Sequence, residues 1–231
     1  GAVSNGIISS ALGNVYIAEC RFLRAMAHHE LLLHFARPYR DGNGSQLGII
    51  YRDFGVNNET TSALAMSKTR TSVADGYTKI LADLDFAETN LPATTATAPP
   101  PVNATTNKTY RTTKAAAIAL KMRVRLHMGD WANVIAEGNK LVPTTPTSLT
   151  SYPGFTSPVG GWKMEISPVT PFTAGGWQGN ETIFSIRNAS TDNGGVNGAL
   201  PNMLGNTSIG GRGIIRVSPV VYNLPEFLCN D

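Results

Sequence analysis

Four histidines are the residues of this chain that could serve as metal ligands or general bases. His28 and His29 are adjacent within a predicted helix, so their side chains point about 100° apart and cannot hold one metal ion together. His29 and His34 are five positions apart, which is also the wrong spacing for a shared metal on a helix. His127 lies on a later predicted helix. We therefore predict core or interface histidines, with no metal site and no cofactor.

Acidic residues are sparse in the loop-rich half of the chain after residue 143. A hydrolytic site in this half would need two of them. A glycosidase uses two carboxylates that flank the bond to be cleaved. Before Glu226 and Asp231, the acids in this half are Glu165, Glu181 and Asp192, and nothing in the sequence pairs them. No Gly-x-Ser-x-Gly motif or phosphate-binding loop appears at a strand-to-helix junction. We predict no catalytic residues and no enzymatic activity.

Aromatic residues with amide neighbours are the more informative set. Sugar rings pack their C–H faces on aromatic rings, while their hydroxyl groups need amide, hydroxyl or charged partners at the ring edge. Trp177 lies between two glycines and the amides Gln178 and Asn180, Trp162 follows two glycines, and Tyr152 lies in the same loop-rich region. We predict that these five residues bind a glycan, with Trp177 as the main stacking ring. The alternative for each aromatic ring is an anchor that holds a long loop on the scaffold.

The composition argues against a membrane-spanning or nucleic-acid-binding chain. Charged residues make up 15% of the 231 residues, and Thr, Asn, Ser and Gly take their place. No segment approaches the run of about 20 apolar residues that a transmembrane helix needs. The net charge is only +3. The densest basic group lies on a predicted helix, where we expect a solvated face: Arg111, Lys114, Lys121, Arg123 and Arg125.

Two cysteines, Cys20 and Cys229, have neither metal-binding spacing nor a disulfide framework around them. Cys20 lies inside the first predicted helix, where we expect it to be buried as a small apolar residue. A disulfide between the two cysteines is the alternative.

Apolar spacing of three and four residues predicts four helices, at residues 10–36, 71–90, 113–128 and 131–142. The apolar stripe of the first helix widens over residues 31–35, which predicts burial on more than one side, and Pro38 ends the helix. One shared core is expected to bury residues from three of the helices: Phe22, Met26, Ile80, Leu84, Ile118 and Met122.

Capping residues define the ends of these helices. Ser72 begins the second helix, Thr112 or Thr113 the third, and Asp130 the fourth, while Gly129 stops the third. The link at Gly129 is so short that the last two helices must be antiparallel, like a tetratricopeptide unit. Trp131, at the start of the last helix, is predicted to be core.

The composition changes after Pro143, where Gly, Pro, Asn and Thr dominate and helical periodicity ends. Residues 182–187 alternate as a strand would. We predict a single domain over residues 1–231, with a helical-repeat scaffold at 1–142 and a loop-rich region at 143–231 packed on it. The expected fold class is mainly α: tetratricopeptide-like helix pairs form the scaffold, with long loops and a few short strands in the C-terminal half.

Four segments, in order along the chain, resemble the SusD/RagB family. Residues 18–27 read A-E-C-R-F-L-R-A-M-A, similar to the family's A-E-x-R-F-L-R-A-x-A helix. Residues 70–92 and 111–131 resemble its second and third helices, and residues 179–186, G-N-E-T-I-F-S-I, resemble its N-E-x-I-F-s-I strand. This family comprises glycan-capturing lipoproteins of the outer membrane of Bacteroidetes.

The resemblance implies non-enzymatic binding of an extracellular oligosaccharide or polysaccharide and its delivery to a SusC-like TonB-dependent transporter. It also implies a lipid-anchored protein on the cell-surface face of the outer membrane. Because Gly1 is followed directly by a helix-like segment, we expect a partial chain whose lipid anchor lies upstream. The alternative function is a helical-repeat module that binds a protein or peptide. Exposed aromatic residues would gather in the loops for a sugar and along one helix face for a peptide.

Overall fold

The computed structural model describes residues 1–94, 109–142, 154–167, 169–173, 179–186, 194–198, 203–214 and 218–223. The chain divides into two compact units, Gly1–Ser185 and Ile186–Asp231. The first unit contains five helices longer than two turns: α1 (Ser10–Phe35), α2 (Glu59–Ser67), α3 (Val73–Asn90), α4 (Lys114–Met128) and α5 (Trp131–Leu141). The described part of the second unit has only short helical turns, at Gly195–Gly198, Thr207–Ile209 and Pro219–Tyr222. The predicted boundary at residue 142 stays a prediction.

Helix α1 begins where Ser9 accepts a hydrogen bond from the backbone N–H of Leu12, and it runs without a break to Phe35. The predicted helix at residues 10–36 is therefore confirmed. Its buried face is a single stripe that includes Ala18, Phe22 and Leu32. The prediction of burial on more than one side is wrong, because the widened end is solvent-exposed: Leu31 41%, Leu33 37% and Phe35 69%.

The connection from α1 to α3 has the tight turns that its glycines predict, but it also contains a helix. Gly42, Asn43 and Gly44 all adopt positive φ, at 70°, 51° and 76°. Helix α2 follows, and it begins with a reciprocal capping box between Asn58 and Thr61. Only Ala65 of α2 is buried, so the helix lacks the apolar stripe that would have predicted it.

The caps of α3, α4 and α5 are the predicted ones. Ser72, Thr113 and Asp130 each accept a hydrogen bond from the backbone N–H three residues later. Gly129 takes the left-handed conformation at φ 72° and ends α4, so that α5 begins after a two-residue link. Helix α3 packs against both α1 and α4, and α4 packs against α5. This arrangement of packed helix pairs is a mainly α, tetratricopeptide-type fold, as predicted.

The core of the first unit is two clusters instead of one. Phe22, Ile80 and Leu84 are buried together between α1, α3 and α4. Ile118 belongs to a smaller cluster with Ala115, Leu141 and Trp162 on another face of α4. The prediction of a single shared core is therefore wrong, because Ile118 does not pack in the same cluster as Phe22 and Ile80. The half-buried Met26 and Met122 pack against different clusters, the larger and the smaller respectively.

Two residues that were predicted to be buried are exposed to solvent instead, so these two predictions are wrong. Trp131 is 61% exposed on the first turn of α5, and Cys20 is exposed on α1. Cys229 lies outside the described residues.

The strands are not where the sequence predicts them, because residues 182–186 form no strand. Strands occur instead at Phe155–Thr156 (β1) and Lys163–Met164 (β2), which pair antiparallel with Phe155 opposite Met164.

The basic residues of α4 do not all form a solvated face. Lys121 is only 5% exposed, and its ammonium group lies 2.7 Å from Asp85, 2.7 Å from Glu88 and 2.8 Å from Glu137. Burial lowers the pKa of Lys121, but the hydrogen bonds to these carboxylates outweigh it and raise the pKa above its ordinary value. Lys121 therefore ties α4 to α3 and α5.

Among the described helices, none combines the length and apolarity needed to cross a membrane.

Candidate functional site

A cavity of about 310 Å³ lies between α4, the end of α5 and the β1–β2 strand pair. Its walls are mainly apolar, and Glu181 and Lys163 are the charged residues among the described lining residues. The apolar lining comes from α4, the end of α5, the strand pair with its turn, and the segment after Glu181: Ala119, Met122, Leu141, Val142, Phe155, Trp162, Met164 and Ile183. We call this space the hairpin cavity.

Trp162 is the predicted site residue that lies at this cavity. Gly160 and Gly161 adopt φ of 80° and 69° and turn the chain between the strands, and the backbone N–H of Ser157 donates to the carbonyl oxygen of Trp162 at 2.6 Å. The indole is 9% exposed and packs with Ile118 and Leu141. Its Nε1–H is buried and finds no hydrogen-bond partner among the described residues. Trp162 therefore anchors the strand pair on the helices and also borders the cavity.

Polar groups form one rim of the hairpin cavity. The carboxylate of Glu181 accepts a hydrogen bond from the backbone N–H of Glu165 at 2.6 Å. The side-chain amide of Asn180 donates to Glu165 at 2.7 Å, and the carbonyl oxygen of Asn180 accepts from the backbone N–H of Lys163 at 3.2 Å. This network fixes the carboxylate of Glu181 on the cavity wall and holds the side chains of Asn180 and Glu165 next to it. No pattern in the sequence indicates that Glu165 and Glu181 are neighbours.

A second cavity of about 350 Å³ lies along the same side of α4, and it shares Ala119, Glu181 and Ile183 with the hairpin cavity. Arg123 and Phe184 are among its other lining residues. The ring of Phe184 meets that of Phe22 edge-on, at 5.3 Å between centroids, which holds residues 181–184 against the helices. Together the two cavities present apolar surface with charged groups over much of the length of α4.

The predicted site residues are only partly brought together by the described structure. Trp162 and Asn180 lie in the same strand-pair region, whereas Trp177, Gln178 and Tyr152 fall outside the described residues, so their glycan contacts stay predictions. Phe155, Met122 and Met164 also line the cavity, and of these Met164 had no signal of its own in the sequence beyond its apolar character. In the described part of the chain, the most exposed aromatic residues lie on helices: Phe35 at 69% and Trp131 at 61%.

The histidines are placed as packing residues or on the surface. The imidazole of His28 stacks on Tyr51 at 4.0 Å, accepts the backbone N–H of Arg52 at Nε2, and contacts the Arg24 carbonyl oxygen through Nδ1. His29 is fully buried. His34 and His127 are exposed. No group of three or more metal-ligating side chains occurs within the described ranges.

Comparison with known proteins identifies the family. The family model described as SusD-like, "Starch-binding associating with outer membrane", matches residues 11–126, which is half of the chain. The chain belongs to this SusD-like family. The match covers α1 through most of α4 and includes the A-E-C-R-F-L-R-A-M-A segment on which the resemblance was based.

Solved structures of the SusD superfamily are similar to part of this chain. One from Bacteroides fragilis is 26% identical with a TM-score of 0.45, covering 57% of this chain and 28% of that one. One from Bacteroides vulgatus is 23% identical with a TM-score of 0.46, covering 60% of this chain and 28% of that one. One from Bacteroides thetaiotaomicron is 22% identical with a TM-score of 0.43, covering 58% of this chain and 28% of that one. The matched region thus spans little more than a quarter of each of these structures, and no curated protein matches the chain.

Proposed function

We propose that this chain binds an extracellular oligosaccharide without cleaving it and delivers it to a SusC-like TonB-dependent transporter. The observation that carries the proposal is the family match, because SusD-like proteins associate with the outer membrane and bind starch or related glycans. The hairpin cavity supports it, since Trp162 and Phe155 offer ring surface beside the polar rim at Glu181 and Asn180. The proposed location is the cell-surface face of the outer membrane, reached through a lipid anchor.

The absence of catalysis is part of this proposal. SusD-like proteins are generally non-catalytic binding proteins. In this chain the carboxylates of Glu165 and Glu181 are both engaged in hydrogen bonds with neighbouring backbone or amide groups. A general acid must instead keep its proton available to the leaving group of the substrate.

Calorimetric titration of the purified chain with a panel of oligosaccharides, beginning with maltoheptaose, tests the proposal. Phe155→Leu removes an aromatic ring from the cavity wall and should weaken binding about fivefold, since aromatic packing contributes about 1 kcal/mol. The matched control is Phe35→Leu, which removes the same ring from an exposed position on α1. Equal affinities for the two variants would contradict binding at the hairpin cavity, and no binding by any oligosaccharide would contradict the proposed function.

A second function is favoured by one observation and is therefore kept as the alternative. Trp131 and Ile135 are 61% and 64% exposed, lie four residues apart on α5 and form part of one helix face. An aromatic and aliphatic pair on a helical scaffold suits a protein or peptide partner. Under this alternative, Trp131→Ala would abolish partner binding while leaving oligosaccharide titrations unchanged.

A further inference from the structure

A separate groove of about 790 Å³ lies between the N-terminal half of α1 and residues 52–55. It shares no lining residue with the hairpin cavity. Its walls combine arginines with aromatic rings, and Asp53 is the one carboxylate among the described lining residues: Tyr16, Arg21, Arg24, Arg52, Asp53 and Phe54. We call it the arginine groove.

One of the three arginines is fully committed to holding the structure together. Arg24 donates from Nε and Nη2 to the two carboxylate oxygens of Asp83, at 2.7 and 2.6 Å, and from Nη1 to the carbonyl oxygen of Asp53 at 3.1 Å. The hydroxyl group of Tyr51 also donates to Asp83 at 2.7 Å. Asp83 is therefore neutralised and well supplied with donors by Arg24 and Tyr51. Arg24 forms a fixed wall of the groove and brings residue 53 close to α1.

The other two arginines present unused donors. The guanidinium group of Arg21 lies 4.0 Å over the ring of Phe86, and its nearest carboxylate oxygen, on Asp83, is 3.9 Å away, which is too long for a hydrogen bond. The ring beneath Arg21 restricts its position while its side chain stays 38% exposed. Arg52 is exposed, and its side chain makes no hydrogen bond or ion pair with the described residues.

We propose that the arginine groove binds a uronic acid unit of an acidic glycan, an inference that rests on the proposed glycan-binding function. The planar guanidinium groups of Arg21 and Arg52 match a carboxylate in shape and charge and donate strong, charge-assisted hydrogen bonds to it. Tyr16, which is 36% exposed, and Phe54 supply ring surface for the face of the sugar. The groove therefore gives the protein a preference for negatively charged over neutral sugars.

The test is calorimetric titration with tetragalacturonate and, in parallel, with maltoheptaose as the neutral ligand. Arg52→Gln and Arg21→Gln should each weaken tetragalacturonate binding roughly tenfold or more, because hydrogen bonds to charged groups contribute about 1.5–3 kcal/mol. Affinity for the neutral ligand should not change. Arg37→Gln removes the same charge from an exposed arginine paired with Asp41, outside the groove, and is the matched control. Arg52 is exposed, so its variant should fold even if Arg21→Gln does not.

The possible outcomes separate this inference from the proposed function. Tetragalacturonate binding that is lost in the groove variants and kept in Arg37→Gln supports both. Binding of maltoheptaose without binding of tetragalacturonate, or tetragalacturonate affinity that is the same in all variants, overturns the inference and leaves the proposed function standing. Failure of both ligands, and of the wider panel, overturns both.

Discussion

The buried imidazole of His29 makes a quantitative prediction about stability and pH. His29 of α1 is fully buried against α3 and α4, with its ring centroid 6.0 Å from that of Tyr77 and 5.1 Å from that of His127. Neither ring nitrogen has a hydrogen-bond partner within the described residues. Burial, followed by the positive charges of His127 and Arg123, lowers the pKa of His29 from 6.5 to about 4, against an opposing effect of Glu30.

The sign of the effect follows from which state binds the proton. Between pH 6.5 and about 4, the unfolded chain holds a proton on His29 that the folded protein does not, so the free energy of unfolding falls as the pH falls through this range. A difference of about 2.5 pKa units at about 1.4 kcal/mol each gives a loss of about 3 kcal/mol. At pH 7 this penalty is absent.

The assay is urea denaturation followed by circular dichroism at several pH values from 4.5 to 7.5, on the natural chain and on His29→Leu. Leucine does not titrate, so the variant should lose most of the fall in unfolding free energy below pH 6.5. At pH 7 it should be about as stable as the natural chain, because replacing an unsatisfied buried polar group by an apolar one of similar size is nearly neutral. His34→Leu, at an exposed position of the same helix, controls for the loss of a histidine.

Carboxylates also titrate at the acid end of this range, but they are common to all three proteins. Asp75, Glu88 and Asp130 have pKa values below their ordinary ones of 3.8, 4.5 and 3.8, so their contributions to stability begin to be lost as the pH falls to those ordinary values, at the acid end of the assay. The comparison between variants therefore isolates His29. The same pH dependence in the natural chain and in His29→Leu would refute the reasoning.

Three further predictions concern the ion network, the loop tryptophan and catalysis. Lys121→Leu should lower the free energy of unfolding by about 1.5–3 kcal/mol in urea denaturation, since the largely buried Glu88 and Glu137 lose one of their two lysine partners and keep only Lys140. Lys79→Leu, in an exposed pair, should change it by less than about 1 kcal/mol. Trp177→Ala should weaken glycan binding by about 1–3 kcal/mol with little change in Tm; early unfolding with normal binding would identify a loop anchor. Reducing-sugar assays on a polysaccharide panel should detect no product, and turnover abolished by Glu165→Gln or Asp192→Asn would contradict this.

The helices were predictable because their signals are local. Ser72, Thr113 and Asp130 each cap a helix through a backbone group three residues away, so the sequence contains both partners of each interaction. The same kind of signal is present at Asn58 and Thr61, but α2 has no apolar stripe from which a helix would be predicted.

The wrong predictions concern residues whose environment comes from distant parts of the chain. Lys121 is buried because Glu88 of α3 and Glu137 of α5 reach it, and a single helix sequence cannot reveal such partners. Trp131 is predicted to be core from its place at the start of a repeat helix, yet on the first turn of α5 it faces solvent. A helix face becomes core only when another element covers it.

The candidate site shows the same division between local and distant information. The glycines before Trp162 are local and form the turn between the strands, whereas glycan binding by Trp162 stays a prediction. The contact of Glu181 with the backbone of Glu165 joins positions sixteen residues apart, and the sequence has no pattern that requires it. The cavity itself depends on how the strand pair sits against α4 and α5, which is a matter of tertiary packing.

The most direct test of the proposed function uses the indole N–H signals of the three tryptophans, Trp131, Trp162 and Trp177. Each signal can be assigned with a single Trp→Phe variant and followed by NMR while maltoheptaose, or the best ligand of the panel, is added. Glycan binding at the hairpin cavity predicts that the Trp162 signal shifts in a saturable way while that of Trp131 stays in place. A shift confined to Trp131, or no shift at any tryptophan, would contradict glycan binding at this cavity.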